Sequence, residues 1–296
     1  MVIDMHVHPV FYKDICGDEE ELAFREDTFG VWKQGPMSFE EAFAEMDYGK
    51  IDKEVLLPLD VSTTAGGYVV TNEQVAKLVE LEPDRLIGFA SVDPHREDAL
   101  EVLEKAFTEL GMKGLKLNPS KQKFHPMDKE LLPIYELCEK KDKPIIFHAG
   151  TSWEPDTPAK NSHPLEFEEI FIRYPDLRCC LAHFAWPWVR EMCMLMLKYP
   201  NVYTDTSVLY LDSPEESIHR LFTEDMGARW AERAFAKQIL FASNTPRFRA
   251  FKIRRAIEKL PIIKEVKEDI LGGNAVRFLG MEQTYGKAGS NRTNES

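Results

Sequence analysis

Cysteine is scarce in this chain. Five are scattered over 296 residues, at Cys16, Cys138, Cys179, Cys180 and Cys193, with no Cys-x-x-Cys spacing. That excludes a disulfide framework and a cysteine-held zinc site, and it fits a reducing cytosol. No Gly-x-Gly-x-x-Gly follows an apolar run, and Gly66-Gly67 is an isolated pair, so the usual sign of a dinucleotide fold is missing. Positive charge is short too: 37 Lys and Arg stand against 50 Asp and Glu, a net charge of −13. Such a chain does not neutralise phosphates or bind as a basic membrane-surface protein. A small anionic substrate stays compatible, because a pocket can oppose the global sign. No apolar stretch approaches the ~20 residues that span a bilayer. The run from Met192 to Leu197 comes nearest, ends at Lys198 and reads as a buried helix. No basic and apolar leader opens the chain, so a cytoplasmic protein without a secretory signal is expected.

What is present is a rhythm. Short β-branched or aromatic runs occur near 2–6, 54–59, 86–92, 114–118, 144–149, 177–184, 201–207 and 238–243. Helical patterns fall between them, near 38–49, 71–82, 97–111, 128–142, 164–174, 187–198, 214–236 and 247–259. Ser38 with Glu41 and Thr71 with Gln74 are capping boxes; Pro83, Pro144, Pro175 and Pro200 stop the preceding helices. Eight strand–helix units predict an α/β fold, a single (β/α)8 TIM barrel over 1–280, regular or distorted. Residues 281–296 read as a disordered, polar tail. The segment from Pro9 to Met37 is too long for a simple turn and holds Phe11, Tyr12, Phe24, Phe29 and Trp32. It is expected to be a lid inserted after the first strand.

Barrel active sites lie at the carboxyl ends of the strands. The first strand ends in Asp4-Met5-His6-Val7-His8. Alternation along a strand puts Asp4, His6 and His8 on one face, where two imidazoles can grip one metal ion. The other strands reach Asp60, Asp93, Lys116 with Asn118, His148, His183, Asp205 and Asn244. Four of the eight histidines thus sit at the ends of three strands. His95, His125, His163 and His219 fall in loops or helices, His163 alone within reach of the pocket.

Asp4-Met5-His6-Val7-His8, Pro144 to Gly150 around His148, Leu181-Ala182-His183-Phe184 and Phe241 to Pro246 around Asn244 together resemble the amidohydrolase superfamily. The nearest likeness is to its amidohydrolase-2 branch, which holds aminocarboxymuconate-semialdehyde decarboxylase-like enzymes and lactone hydrolases. Gly114-Leu115-Lys116-Leu117-Asn118-Pro119 is similar to a strand-4 motif of that branch. The resemblance covers about residues 1–280. It implies His6, His8 and His148 as ligands of one divalent metal ion, zinc first and manganese as the alternative. It implies His183 as the group that polarises or protonates the substrate, and it leaves a homodimer open.

Residue 244 departs from the pattern, because the family places an aspartate there that binds the metal and takes the proton from its water. Asparagine is no base near neutral pH. An engineered Asp→Asn change, a natural variant with another base, and a chain that kept only a binding role all account for Asn244. Lys116 suits a substrate carboxylate, a carboxylated metal bridge or an ion pair with Asp93. Asp205 suits a partner for a ligand histidine or a helix cap. Arg247 is a second anion anchor, and Trp153 and Trp186, with Trp188 nearby, give the mouth aromatic walls. The expected function is metal-dependent hydrolysis of a small, carboxylated lactone, amide or similar compound. Non-oxidative decarboxylation of an aromatic or enol carboxylate is the alternative, and a non-catalytic metal or ligand binder is the third.

Overall fold

The computed structural model describes residues 1–31, 35–207 and 213–281. The tail from residue 282 onward and Trp32 of the expected lid lie outside the described residues. Among the described residues eleven strands occur: β1 Ile3–Val7, β2 Lys53–Leu56, β3 Leu59–Val61, β4 Gly67–Val70, β5 Leu86–Gly88, β6 Ala90–Ser91, β7 Leu115–Leu117, β8 Ile145–Phe147, β9 Cys179–Leu181, β10 Val202–Asp205 and β11 Ile239–Leu240. Parallel pairing runs β1-β2-β5 and β6-β7-β8-β9-β10-β11. The chain turns from one sheet to the other at Phe89, whose N–H donates to Leu56 O while Ala90 N–H donates to Gly114 O. On the far side Met5 N–H donates to Phe241 O, and Val7 bridges Thr245 in parallel. Taking β5 and β6 as one position, eight parallel positions form a TIM barrel, as the rhythm predicts.

The differences are local. β3 and β4 form an antiparallel hairpin that the sequence rhythm does not announce. The pattern at 214–236 is two helices, Pro214–Arg220 and Ala228–Arg233, parted by a π-helical turn and by Gly227 at φ 101°. The segment after β1 contains a helix, Glu19–Phe29, capped by Asp18 and ended by Gly30 in the left-handed region. Below the barrel, Ala275 and Phe278 pack into the inner cluster with Ile3, Met5, Val55, Ile146 and Leu240 and seal the amino end.

One irregularity shapes the site. Asp4 pairs with Glu54 but Val7 pairs with Leu56, three steps on β1 against two on β2. This bulge adds a residue and turns the side chains that follow it. Ile3 and Met5 belong to the inner cluster and Val7 to the outer core. Asp4 therefore faces outward, against the expectation that it projects with His6 and His8. Its carboxyl group accepts from Ser243 N–H and Oγ–H at 2.9 and 2.5 Å.

Candidate metal centre

A cavity of about 240 Å³ opens at the carboxyl ends of the strands, bounded by His6, His8, Lys116, His148, His183 and Asn244 below and by Phe29, Lys121, Trp153 and Arg247 above. Of the candidate metal, catalytic and substrate-binding residues read from the sequence, all but Trp186 line this cavity. That tryptophan packs half-buried against the outer core and does not line the cavity. Trp188 lies tilted against the His163 ring at 4.6 Å, and both stand outside the cavity. Lys121, Asn118, Glu154, Ser152 and the end of the lid helix line it too. Apart from Asn118 at its strand end and Phe29 in the lid, the sequence reading missed these, because loop residues carry no periodicity.

The hydrogen-bond partners fix all four imidazole tautomers. His6 Nδ1 lies 2.9 Å from the Asp205 carboxylate, and His8 Nδ1 lies 3.1 Å from Leu57 O. His148 Nε2 lies 3.2 Å from Thr151 O, and His183 Nδ1 lies 3.1 Å from Ser207 O. The carboxylate and carbonyl partners only accept, and Ser207 Oγ, 2.6 Å from His183 Nδ1, gives its own hydrogen to Asp205, so each of these nitrogens carries the hydrogen. The opposite nitrogens therefore hold bare lone pairs, and they face each other. His6 Nε2 and His8 Nε2 are 3.1 Å apart, and His148 Nδ1 and His183 Nε2 are 3.2 Å apart. Neither pair can share a hydrogen bond without a further proton. Both spacings are less than twice the ~2.0–2.1 Å of a metal–imidazole bond, so one ion can touch both members of a pair. The donor set fits a divalent metal.

Electrostatics agree. Burial holds His6, His8 and His183 well below the ordinary histidine range and pushes His148 down to about 3, with the Lys116 charge acting the same way on all four. Neutral imidazoles are the ligand form. Burial also lowers Lys116 to about 8. Its Nζ stands 3.5 Å from His6 Nε2, while the Asp93 carboxylate accepts from Thr63 and His95 instead. The Asp93 pairing considered for Lys116 is thus not what the structure shows.

His6, His183 and Asp205 bring ligand atoms within 4.8 Å of one another. Asp205 is nevertheless occupied: beyond His6 it accepts from His183 N–H at 2.8 Å and from Ser207 N–H and Oγ–H. It orients His6 and does not cap the next helix, whose cap is Ser213.

Local backbone strain supports the arrangement. His183, Phe184 and Ala185 have φ of 62°, 50° and 48°. Each such residue costs of order 1–2 kcal/mol. Gly150, at φ 92°, lets the loop after β8 touch this turn; a Cβ there would meet Trp186 O at 2.4 Å. That close approach sets His148 beside His183. Asn244 is also left-handed, at φ 65°, a conformation asparagine tolerates.

The model of the amidohydrolase family, Amidohydro_2, matches residues 3–281. The chain belongs to that family. A 2-amino-3-carboxymuconate-6-semialdehyde decarboxylase from Dictyostelium discoideum is 24% identical over 240 residues, covering 71% of this chain and 66% of its own length. The chain thus spans just under two thirds of that relative. A TIM-barrel protein from Bordetella bronchiseptica superposes with a TM-score of 0.74 at 23% identity, covering 95% of this chain and 99% of its own. A dihydroxybenzoic acid decarboxylase from Polaromonas sp. JS666, with bound manganese and the inhibitor 2-nitroresorcinol, gives 0.67 at 19% identity, with 95% and 97% covered. Among the described residues no helix is long and apolar enough to cross a membrane.

Proposed function

We propose that this amidohydrolase-family chain is a metal-dependent carboxy-lyase for a small ring or enol carboxylic acid. The observation that carries the reading is the pairing of Asn244 with Lys116 in one cavity. An amide at 244 cannot take a proton from water, while Lys116 brings three N–H donors to the cavity floor. Decarboxylation needs the second and not the first. The C–COO⁻ bond breaks, carbon dioxide leaves, and the electron pair stays on carbon until a proton arrives. A bound divalent ion supplies Lewis-acid polarisation of substrate oxygen. Lys116 Nζ–H pairs with the carboxylate before cleavage and gives a proton to the carbon afterwards. His183 Nε2, bare in this tautomer, accepts a hydrogen bond from a ring hydroxyl. Phe29 and Trp153 form the aromatic walls, and Arg247 faces the outer end. The decarboxylase relative supports the same class, and a cavity of about 240 Å³ suits a small substrate.

Hydrolysis is the second reading, favoured by that same bare nitrogen of His183, which can serve as a base for water. The two separate on one panel. Zinc- or manganese-loaded protein should release carbon dioxide from hydroxybenzoates or enol acids and leave esters and lactones intact. Asn244→Asp should change decarboxylation less than about tenfold. A positioned base contributes about 10²–10⁴-fold, so a gain of that size in ester or lactone cleavage by Asn244→Asp would give hydrolysis precedence. No carbon dioxide from any acid on the panel would end the carboxy-lyase reading.

A further inference from the structure

The rim of the cavity is built differently from its floor. Lys121 Nζ donates to Thr28 O at 2.7 Å and pairs with the Glu154 carboxylate. Arg247 Nη2 donates to Phe29 O at 2.7 Å, and its guanidinium lies over the Phe29 and Trp153 rings at 5.1 and 5.7 Å. Thr28 O and Phe29 O are consecutive carbonyls at the carboxyl end of the helix Glu19–Phe29. Such carbonyls carry partial negative charge. Two cations from opposite sides of the mouth thus already hold oxygens of anionic character.

Lys121 is placed firmly. The Asn118 side chain accepts from Ser120 N–H and Lys121 N–H, and the Gln122 amide ties this turn to Asp60 O and Val92 O. Glu154 is held differently. It comes from an irregular loop, and beyond Lys121 its carboxylate has a hydroxyl partner, Ser152 Oγ, two residues away. In a chain of net charge −13, the cavity presents Lys116, Lys121 and Arg247 against Asp27 and Glu154.

We infer that Lys121 is a specificity-determining residue: it takes a second anionic group of the substrate, distal to the reacting carboxylate, and Glu154 stands in for that group when the site is empty. The inference rests on reading the cavity as a carboxylic-acid site and adds the class of acid, one with two anionic groups. A ligand carboxylate replaces the Glu154 carboxylate at Lys121 Nζ, with Arg247 beside it. No bond is made or broken, and the exchange swaps one carboxylate for another.

The test is calorimetric binding of benzoate and of benzene-1,3-dicarboxylate to the zinc-loaded protein. The diacid should bind at least tenfold tighter than the monoacid. Lys121→Met should lower the ratio of the two affinities about tenfold or more, and Glu154→Gln should raise it severalfold by removing the internal competitor. Equal affinities in the unaltered protein, an equal loss for both ligands in Lys121→Met, a ratio unmoved by Glu154→Gln, or no binding of either acid at millimolar concentration would each overturn the inference. Because the readout is binding, a failure to release carbon dioxide removes the proposed reaction and leaves this subsite standing.

Discussion

Asp4 and His6 lie two residues apart on β1, yet one faces the outer core and the other the barrel interior. Both are buried, at 0% and 1% exposure, and burial pushes both toward their neutral forms by opposite routes. On the inner side it strips protons from bases: His6, His8, His148 and His183 all titrate below their ordinary range. On the outer side it forces protons onto acids: Asp4 is raised to about 7, and its register partner Glu54 to about 8. Desolvation is the first cause in each case, because a charge without a partner is costly in a dry interior. The inner bases gain something by it, since bare nitrogens can hold a metal. The outer acids have no such use visible. Asp4 ties β1 to Ser243 beside Asn244, and Glu54 has the Tyr12 hydroxyl at 3.5 Å.

The largest effect expected from this contrast is on stability in acid. In metal-free protein near pH 5, the unfolded chain binds four histidine protons that the folded chain refuses. The folded chain keeps two carboxyl protons, on Asp4 and Glu54, that the unfolded chain lacks until about pH 4. The excess in the unfolded state is 4 − 2 = 2 protons. Stability should therefore fall as pH drops, with a slope that steepens from near zero at pH 6.5 to about 2.7 kcal/mol per unit near pH 5. Urea titrations at several pH values measure the slope. A flat profile would show that the four imidazoles are not held neutral.

Glu54→Gln sharpens the other half. An amide of the same shape replaces a carboxyl that is protonated when folded but ionised when unfolded above about pH 4.5. A raised folded value means that the wild-type chain loses stability as pH rises from the unfolded to the folded value, here from about 4.5 to about 8. The variant has no such loss. It should match the wild type near pH 4.5 and exceed it by roughly 3–4 kcal/mol at pH 7.5, at about 1.4 kcal/mol per unit. A variant no better at pH 7.5 than at pH 4.5 would mean that Glu54 is ionised and paired in the fold.

Much of the inner face was legible in the sequence, and little of the outer one. His6, His8, His148 and His183 stand at the ends of apolar strands, and polar residues in such places have few reasons to exist other than a site. The bulge in β1 was not legible. It changes the facing of Asp4 through a register step between Asp4 and Val7, and no glycine or proline marks it. Glu54 carries no mark of burial in the sequence; the helix Phe39–Gly49 and the segment after β1 lie against it. Trp186 read as a wall of the mouth because it follows His183 closely, but the left-handed turn at His183–Ala185 carries it to the outer core. Lys121 escaped notice because its place depends on the Asn118 and Gln122 side chains, a tertiary arrangement with no spacing of its own.

The smallest effect comes from making the same acid-to-amide change on the inner side. One Asp205 oxygen accepts from His6 Nδ1–H, and the other accepts from His183 N–H and from Ser207. Asparagine keeps one acceptor and turns the other position into a donor. If the donor faces His6, the imidazole moves its hydrogen to Nε2 and loses the lone pair that points at His8. If it faces His183, the backbone N–H meets another donor and the turn at 183–185 shifts. Either way Asp205→Asn should weaken zinc binding by about 10–100-fold, or about 1.4–2.7 kcal/mol, measured by competition with a chelating dye. Glu54→Gln, on the opposite face of the same wall, should leave zinc affinity within twofold. Equal effects of the two variants on zinc would mean that β1 transmits strain as a whole. Unequal effects in the stated direction would mean that the bulge separates a metal-binding face from a proton-holding one.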